Sequence, residues 1–190
     1  MSSPDDPPRL GLFHRTFDHL YPAIRFTYER LLGHEWFSQV TATLWLGGAP
    51  TYQRDLDAVV VLGITAVVDL RAERDAAEEF FAQHGIASRQ YRVPDTAVPG
   101  PEVLSDSVAW IGTQIAEGRV VLIHCAKGRG RSATVLAAYL MQTEGMSFDE
   151  VEALMRHKRP LVKLQPRHRL ALESWVAAQG SAAGGSDATI

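Results

Sequence analysis

The sequence carries one cysteine in 190 residues. That scarcity excludes an intrachain disulfide framework and any multi-cysteine zinc or iron–sulfur site. It has no excess of positive charge: the formal net charge is −3, which leaves no electrostatic footprint for nucleic acid. No apolar run approaches the roughly 18 residues that a membrane span requires. Residues 1–8 contain serine, aspartate and proline rather than a basic stretch feeding an apolar segment. This argues against a cleaved secretory signal and points to a reducing, cytoplasmic setting. No repeat and no low-complexity block interrupts the core. At 46% hydrophobic and 22% charged, the chain is long enough to bury a core without covalent staples.

Residues 1–8 read as a disordered lead and 180–190 as a flexible tail. Residues 9–35 form an N-terminal arm in which 10–32 mix aromatics with basic residues around Pro22. One reading is a helix packing its aromatics onto the main domain. The alternative is an amphipathic segment making a peripheral membrane contact. Asp18 and Glu29 dilute the cationic face, which favours the first.

The main domain, 36–179, alternates between two periodicities. Short β-branched or apolar runs at 43–47, 64–70, 88–93 and 120–123 predict strands. Helical spacing at 52–62, 73–84, 102–117 and 132–143 predicts helices, three of them stopped by Gly63, Gly85 and Gly118. Ser147 followed by Glu150 is a capping box opening a helix to about Arg159. Pro166 opens the last helix, with Gly180 as its expected stop. Strands alternating with helices imply an α/β domain: a central, mostly parallel sheet flanked by helices. Ligands in such sheets gather at the carboxyl ends of strands, which is where Cys125 falls.

The segment His124-Cys-Ala-Lys-Gly-Arg-Gly-Arg-Ser132 lies between the most strand-like run and a helix. Every residue type in it has a use if the ligand is a phosphate. Gly128 and Gly130 allow a tight turn whose N–H groups face inward as an anion nest. The helix start adds its positive end, and Arg131 can hold two phosphate oxygens bidentately. The same fields act on the sulfur. Helix N-termini and cations lower a thiol pKa by about 3 units, worth roughly 4 kcal/mol. The thiolate of Cys125 could then attack phosphorus, and the Ser132 hydroxyl could stabilise it as it departs. Ala126, Lys127, Gly128, Arg129 and Gly130 would form the substrate-binding wall of this loop.

Cleaving a phosphate ester also requires an acid for the leaving oxygen. Val93-Pro-Asp95-Thr-Ala-Val-Pro99 places Asp95 on a loop stiffened at both ends by proline, suited to closing over substrate. Asp95 serves first as general acid and then as base for the attacking water. His124 has a supporting role, orienting the loop. Gln165 is a candidate for positioning the hydrolytic water, against the ordinary reading of a surface glutamine.

These residues resemble a known family. The loop from His124 to Ser132 is similar to the signature of cysteine-based protein tyrosine phosphatases, and 93–99 resembles their mobile acid loop, with Val93 where many members carry tryptophan. Leu44-Trp-Leu-Gly-Gly-Ala-Pro50 and Leu62-Gly-Ile-Thr-Ala-Val-Val-Asp-Leu70 resemble the opening strands of the small dual-specificity branch. The resemblance runs from Trp36 to Ala178. It implies metal-independent hydrolysis without a cofactor, through a phosphocysteine, with Cys125, Arg131 and Asp95 as nucleophile, phosphate clamp and general acid. Lys127 and Arg129 make the loop more basic than one phosphate monoester needs, as in phosphoinositide phosphatases. His157-Lys-Arg-Pro160 and Pro166-Arg167 resemble phosphatidylglycerophosphate phosphatases. The expected partner is thus a phosphorylated substrate, a phospholipid or inositol phosphate, with a phosphoprotein as the alternative. Two other readings stay open: a catalytically silent phosphate-binding module, and a single-cysteine sulfurtransferase, for which Arg131, Ser132 and Asp95 would be superfluous.

Overall fold

The structure, a computed structural model, describes residues 25–31 and 33–184. The expected lead (1–8), residues 9–24 and 32 of the arm, and 185–190 of the tail lie outside the described residues. The chain divides between Trp36 and Phe37 into two compact units. In the first, Thr27–Leu31 forms a π-helical turn. The buried Arg25 donates to both carboxylate oxygens of Glu29 at 3.0 and 2.9 Å and lies 4.6 Å from the centroid of the Trp36 ring.

The second unit contains strands β1 (Phe37–Gln39), β2 (Leu44–Gly47), β3 (Ala66–Arg71), β4 (Ala87–Val93) and β5 (Val121–His124). Its helices are α1 (Gln53–Val61), α2 (Glu78–Gln83), α3 (Pro101–Ala116), α4 (Arg131–Thr143), α5 (Phe148–Lys158) and α6 (Pro166–Gly184). The strand order is β1-β2-β5-β3-β4. β2, β5, β3 and β4 are parallel and only β1 runs antiparallel, paired to β2. The mostly parallel α/β architecture expected from the sequence is therefore present, with β5 in the middle of the sheet.

Alternation along the strands sorts side chains between two faces. Leu44, Leu46, Ala66, Val68, Leu70, Val121 and Ile123 join one apolar cluster with the inner faces of α3, α4, α5 and α6. In α3 this face is Leu104, Ser107, Val108 and Ile111, a helical stripe. α4 is more deeply placed: every residue from Arg131 to Met141 is buried. Cys125 continues the β5 alternation onto this face. His124 and its register partner Asp69 fall on the other.

Two local expectations needed correction, and one strand was not anticipated. The helix expected over 73–84 is confined to Glu78–Gln83. The preceding residues are held as a loop: the Gln90 amide donates to the carbonyls of Arg71 and Arg74 at 2.9 and 2.7 Å. Gly180 does not stop the last helix, which continues to Gly184. An interior glycine costs only about 1 kcal/mol, less than the alanine-rich flanks can offset. Finally, β1 is a strand of three residues, too short to show an alternation.

The chain leaves β5 into the loop 125–130, which packs against the end of β2. Gly128 sits at φ +65°, and a Cβ there would lie 2.5 Å from the carbonyl oxygen of Gly47 and 2.8 Å from Arg159 Nε. Both the dihedral and the close approach demand glycine. Gly128→Ala should therefore destabilise the fold by at least about 2 kcal/mol, read as a lowered urea midpoint. An unchanged midpoint would contradict this packing.

Candidate active site

The loop after β5 is shaped from outside by its carbonyls. The Ala126 carbonyl accepts from Ala49 N–H at 3.2 Å, and Arg129 from Lys163 N–H at 3.0 Å. Arg159 supplies Nη2 to Lys127 at 2.9 Å and Nε to Gly128 at 3.1 Å. Gly130 accepts from the Thr134 N–H and hydroxyl at 2.8 and 2.9 Å. With five successive carbonyls tied outward, the peptide planes turn their N–H groups to the inside. Among the described residues, the N–H groups of Ala126, Gly128, Arg129 and Gly130 donate to no protein acceptor. A ring of such donors at a helix N-terminus is an anion site.

Cys125 lies at the base of this ring and is 4% exposed. Burial alone would push its thiol up. The Arg131 guanidinium, the Ser132 hydroxyl, and the N–H groups of Ser132 and Lys127 outweigh burial and hold the thiol below its ordinary value. The Ser132 hydroxyl donates to the sulfur at 3.3 Å and is itself fully buried.

Arg131 is held before any ligand arrives. Its Nη1 and Nη2 donate to the two Glu73 carboxylate oxygens at 2.7 and 2.8 Å. Nη1 also reaches the Val93 carbonyl at 2.9 Å. Burial opposes the charge on Arg131, but Glu73, the Cys125 sulfur and Asp95 raise its pKa further. Burial likewise opposes ionisation of Glu73, and the Arg131 guanidinium holds that carboxyl below the usual range. Asp95 Oδ1 lies 3.0 Å from Arg131 Nη2, so acid, clamp and nucleophile share one pocket. The acid loop is fixed at Thr96, whose φ is +64°. The Thr96 N–H bonds Asp95 Oδ1 at 2.9 Å and its carbonyl accepts from Arg167 at 2.9 Å.

The structure thus brings Cys125, Ala126, Lys127, Arg129, Gly130, Arg131 and Asp95 to one cavity. Ser132 lies beneath the sulfur and Gly128 is turned against β2. His124 stands apart, on the far face of the sheet. Its Nδ1 is 3.8 Å from Asp69 Oδ1 and makes no hydrogen bond. Burial pushes its pKa down to about 4 despite Asp69. Asp69 is gripped by Arg71, with Nη2 to Oδ2 at 2.7 Å. A neutral ring on the opposite face of the sheet is not placed to exchange protons with the pocket.

Sequence reasoning missed several residues. The helical spacing over 73–84 hides Glu73, which follows a strand end beside β5, where ligand sites gather. Arg159, fully buried, has in sequence only the position of a helix terminus. The other wall of the cavity comes from Lys163, Gln165, Arg167 and His168. Gln165 has an exposed side chain, and its backbone N–H donates to His168 Nδ1 at 3.0 Å. Among the described residues no group of three His, Cys, Asp or Glu is placed to hold a metal ion, and no helix is long and apolar enough to cross a membrane.

Comparison with known proteins agrees with this geometry. Residues 44–176 match the dual specificity phosphatase catalytic domain. Dual specificity protein phosphatase 12 of Mus musculus is 33% identical over 135 residues, a match spanning 66% of this chain but only 37% of that protein. The phosphatidylglycerophosphate phosphatase PTPMT2 of Arabidopsis thaliana is 26% identical over 171 residues, covering 86% of this chain and 71% of the relative. The crystal structure of Tk-PTP in the active form aligns with a TM-score of 0.68 at 29% identity, over 75% of this chain and 97% of that one. With 44–176 matching that catalytic domain, the chain belongs to the dual-specificity branch of the cysteine-based phosphatases.

Proposed function

We propose that this chain hydrolyses phosphate monoesters through a phosphocysteine at Cys125. The observation that carries the reading is the sulfur held below its ordinary pKa at the base of the amide ring, with Arg131 and Asp95 in the same pocket. In the first step the Cys125 sulfur attacks phosphorus as the ester P–O bond breaks. The phosphoryl oxygens rest on the loop N–H groups and the Arg131 guanidinium, and the protonated Asp95 carboxyl gives its proton to the departing alcohol. In the second step water attacks phosphorus, its proton passes to the Asp95 carboxylate, and the P–S bond breaks. The Ser132 hydroxyl donates a hydrogen bond to the returning thiolate.

We further infer a lipid or inositol phosphate as the substrate class. The amide ring and Arg131 suffice for one monoester, yet Lys127, Arg129, Lys163 and Arg167 also line the cavity. Burial, and then the Arg129 and Arg131 charges, lower the Lys127 pKa, while Asp95 and Cys125 oppose that shift. So much charge around one pocket favours a ligand with a second acidic group. The likeness to a phosphatidylglycerophosphate phosphatase supports this reading. The higher identity to dual specificity protein phosphatase 12 favours a protein substrate as the second reading.

Cys125→Ser should abolish turnover of p-nitrophenyl phosphate while leaving phosphate binding measurable by calorimetry. Retained turnover would sink the covalent route, and an equally inactive wild type would indicate a silent binding module. Asp95→Asn should lower kcat by about 10²- to 10⁴-fold. An unchanged kcat in this variant would mean that another group is the acid. In a turnover panel, phosphatidylglycerophosphate and phosphoinositides should exceed a phosphotyrosine peptide in kcat/KM. Lys163→Glu should weaken the lipid substrates about tenfold and spare p-nitrophenyl phosphate. A preference for the peptide would favour the protein reading.

A further inference from the structure

Asp95 and Thr96 form the tip of the acid loop, a turn closed by the Ala97 N–H donating to the Pro94 carbonyl at 3.1 Å. Residues 94–96 are exposed, so apolar packing does not fix this tip. Among the described residues, Thr96 is the only one other than glycine with a positive φ, +64°. Asp95 therefore has a negative φ, and a turn with that pair of signs ordinarily carries glycine or asparagine at its third position. A β-branched threonine there is strained. Strain of this kind persists only where neighbouring contacts impose it. The Thr96 N–H donates to Asp95 Oδ1 at 2.9 Å, and the Thr96 carbonyl accepts from Arg167 Nη2 at 2.9 Å. The first contact lies within the turn. The second reaches it from the first turn of α6, 71 positions along the chain.

We propose that Arg167 is the positioning residue of the general acid: it holds Thr96 in the left-handed turn and thereby aims Asp95 at the leaving oxygen. The role rests on the Asp95 chemistry proposed above. In this turn the Asp95 carboxylate is bonded by the Thr96 N–H, lies 3.0 Å from Arg131 Nη2 and lines the cavity that holds Cys125. Arg131 attracts the same carboxylate but does not fix the backbone that carries it. Without the Arg167 guanidinium, Thr96 returns to the negative φ that its side chain prefers. That change rotates the peptides on either side of the turn and withdraws the N–H that orients the carboxylate. The proton then starts farther from the oxygen that takes it. No proton passes through Arg167; it acts only by selecting the turn that the loop adopts.

Leaving groups separate this role from a direct contact to the phosphoryl group. Phenol is a poorer leaving group than p-nitrophenol and depends more on a donated proton. Arg167→Met should lower kcat/KM for phenyl phosphate about fivefold, a loss on the scale of one hydrogen bond, and that for p-nitrophenyl phosphate less than about twofold. Arg167 is exposed, so its replacement leaves no buried gap. Adding Thr96→Gly to that variant should recover most of the lost rate on phenyl phosphate, because glycine adopts a positive φ without help. An equal loss on both esters, no loss on either, or failure of Thr96→Gly to recover the rate overturns the assignment. Asp95→Asn measured alongside tests the reading beneath it. A loss larger on phenyl phosphate upholds Asp95 as the acid, whereas unchanged rates on both esters overturn that reading itself.

Discussion

The site depends on where five carbonyl groups point. A loop of this length could bend in many ways, and most would present a mixture of carbonyl and N–H groups to the cavity. Tying the carbonyls of residues 126–130 to Ala49, Arg159, Lys163 and Thr134 leaves one arrangement, with the amide hydrogens inside. Arg159 is central because one guanidinium serves two consecutive carbonyls. It is fully buried, so water cannot compete for its donors. The close seat of Gly128 on β2 belongs to the same constraint, since any side chain would push the loop off its anchors. The depressed thiol of Cys125 follows from this shape together with the fixed charge of Arg131.

The two faces of the sheet divide the polar work. On the face of α4, the sulfur, Ser132 and Arg131 form the reacting group. On the other face, Asp69, Arg71 and His124 form a dry polar cluster beneath the strand that carries the cysteine. A chelated ion pair such as Arg71–Asp69 is expensive to bury but strongly directional. Both residues belong to β3, so the pair fixes the end of that strand, from which Glu73 emerges in reach of Arg131.

Much of this was legible in sequence. The strands at 64–70 and 120–123 stood out because β-branched runs bounded by turn residues have few other uses. The loop from Cys125 to Ser132 declared its chemistry because glycine, arginine and serine each have a distinct task at their positions. The anchors were less accessible. Glu73 has the spacing of a helical residue, and contacts from distant segments, Arg131 58 positions away and the Gln90 amide on β4, draw it out of that role. Arg159 looks like the basic end of a helix until the loop folds back onto it from 31 residues upstream. His168 has no local signature at all: it reaches the cavity because α6 docks beside the loop. Local periodicity reports which elements form, whereas these roles arise from contacts between elements.

One short stretch, 159–168, reaches every working part. Arg159 and the Lys163 amide grip the phosphate loop, Arg167 grips the acid loop at Thr96, and His168 faces the cavity. The cradle for the nucleophile and the carrier of the proton donor are therefore mechanically geared to a single lever. A displacement at the base of α6 would shift both halves of the chemistry in concert, so the two could not drift apart independently as the sequence diverges.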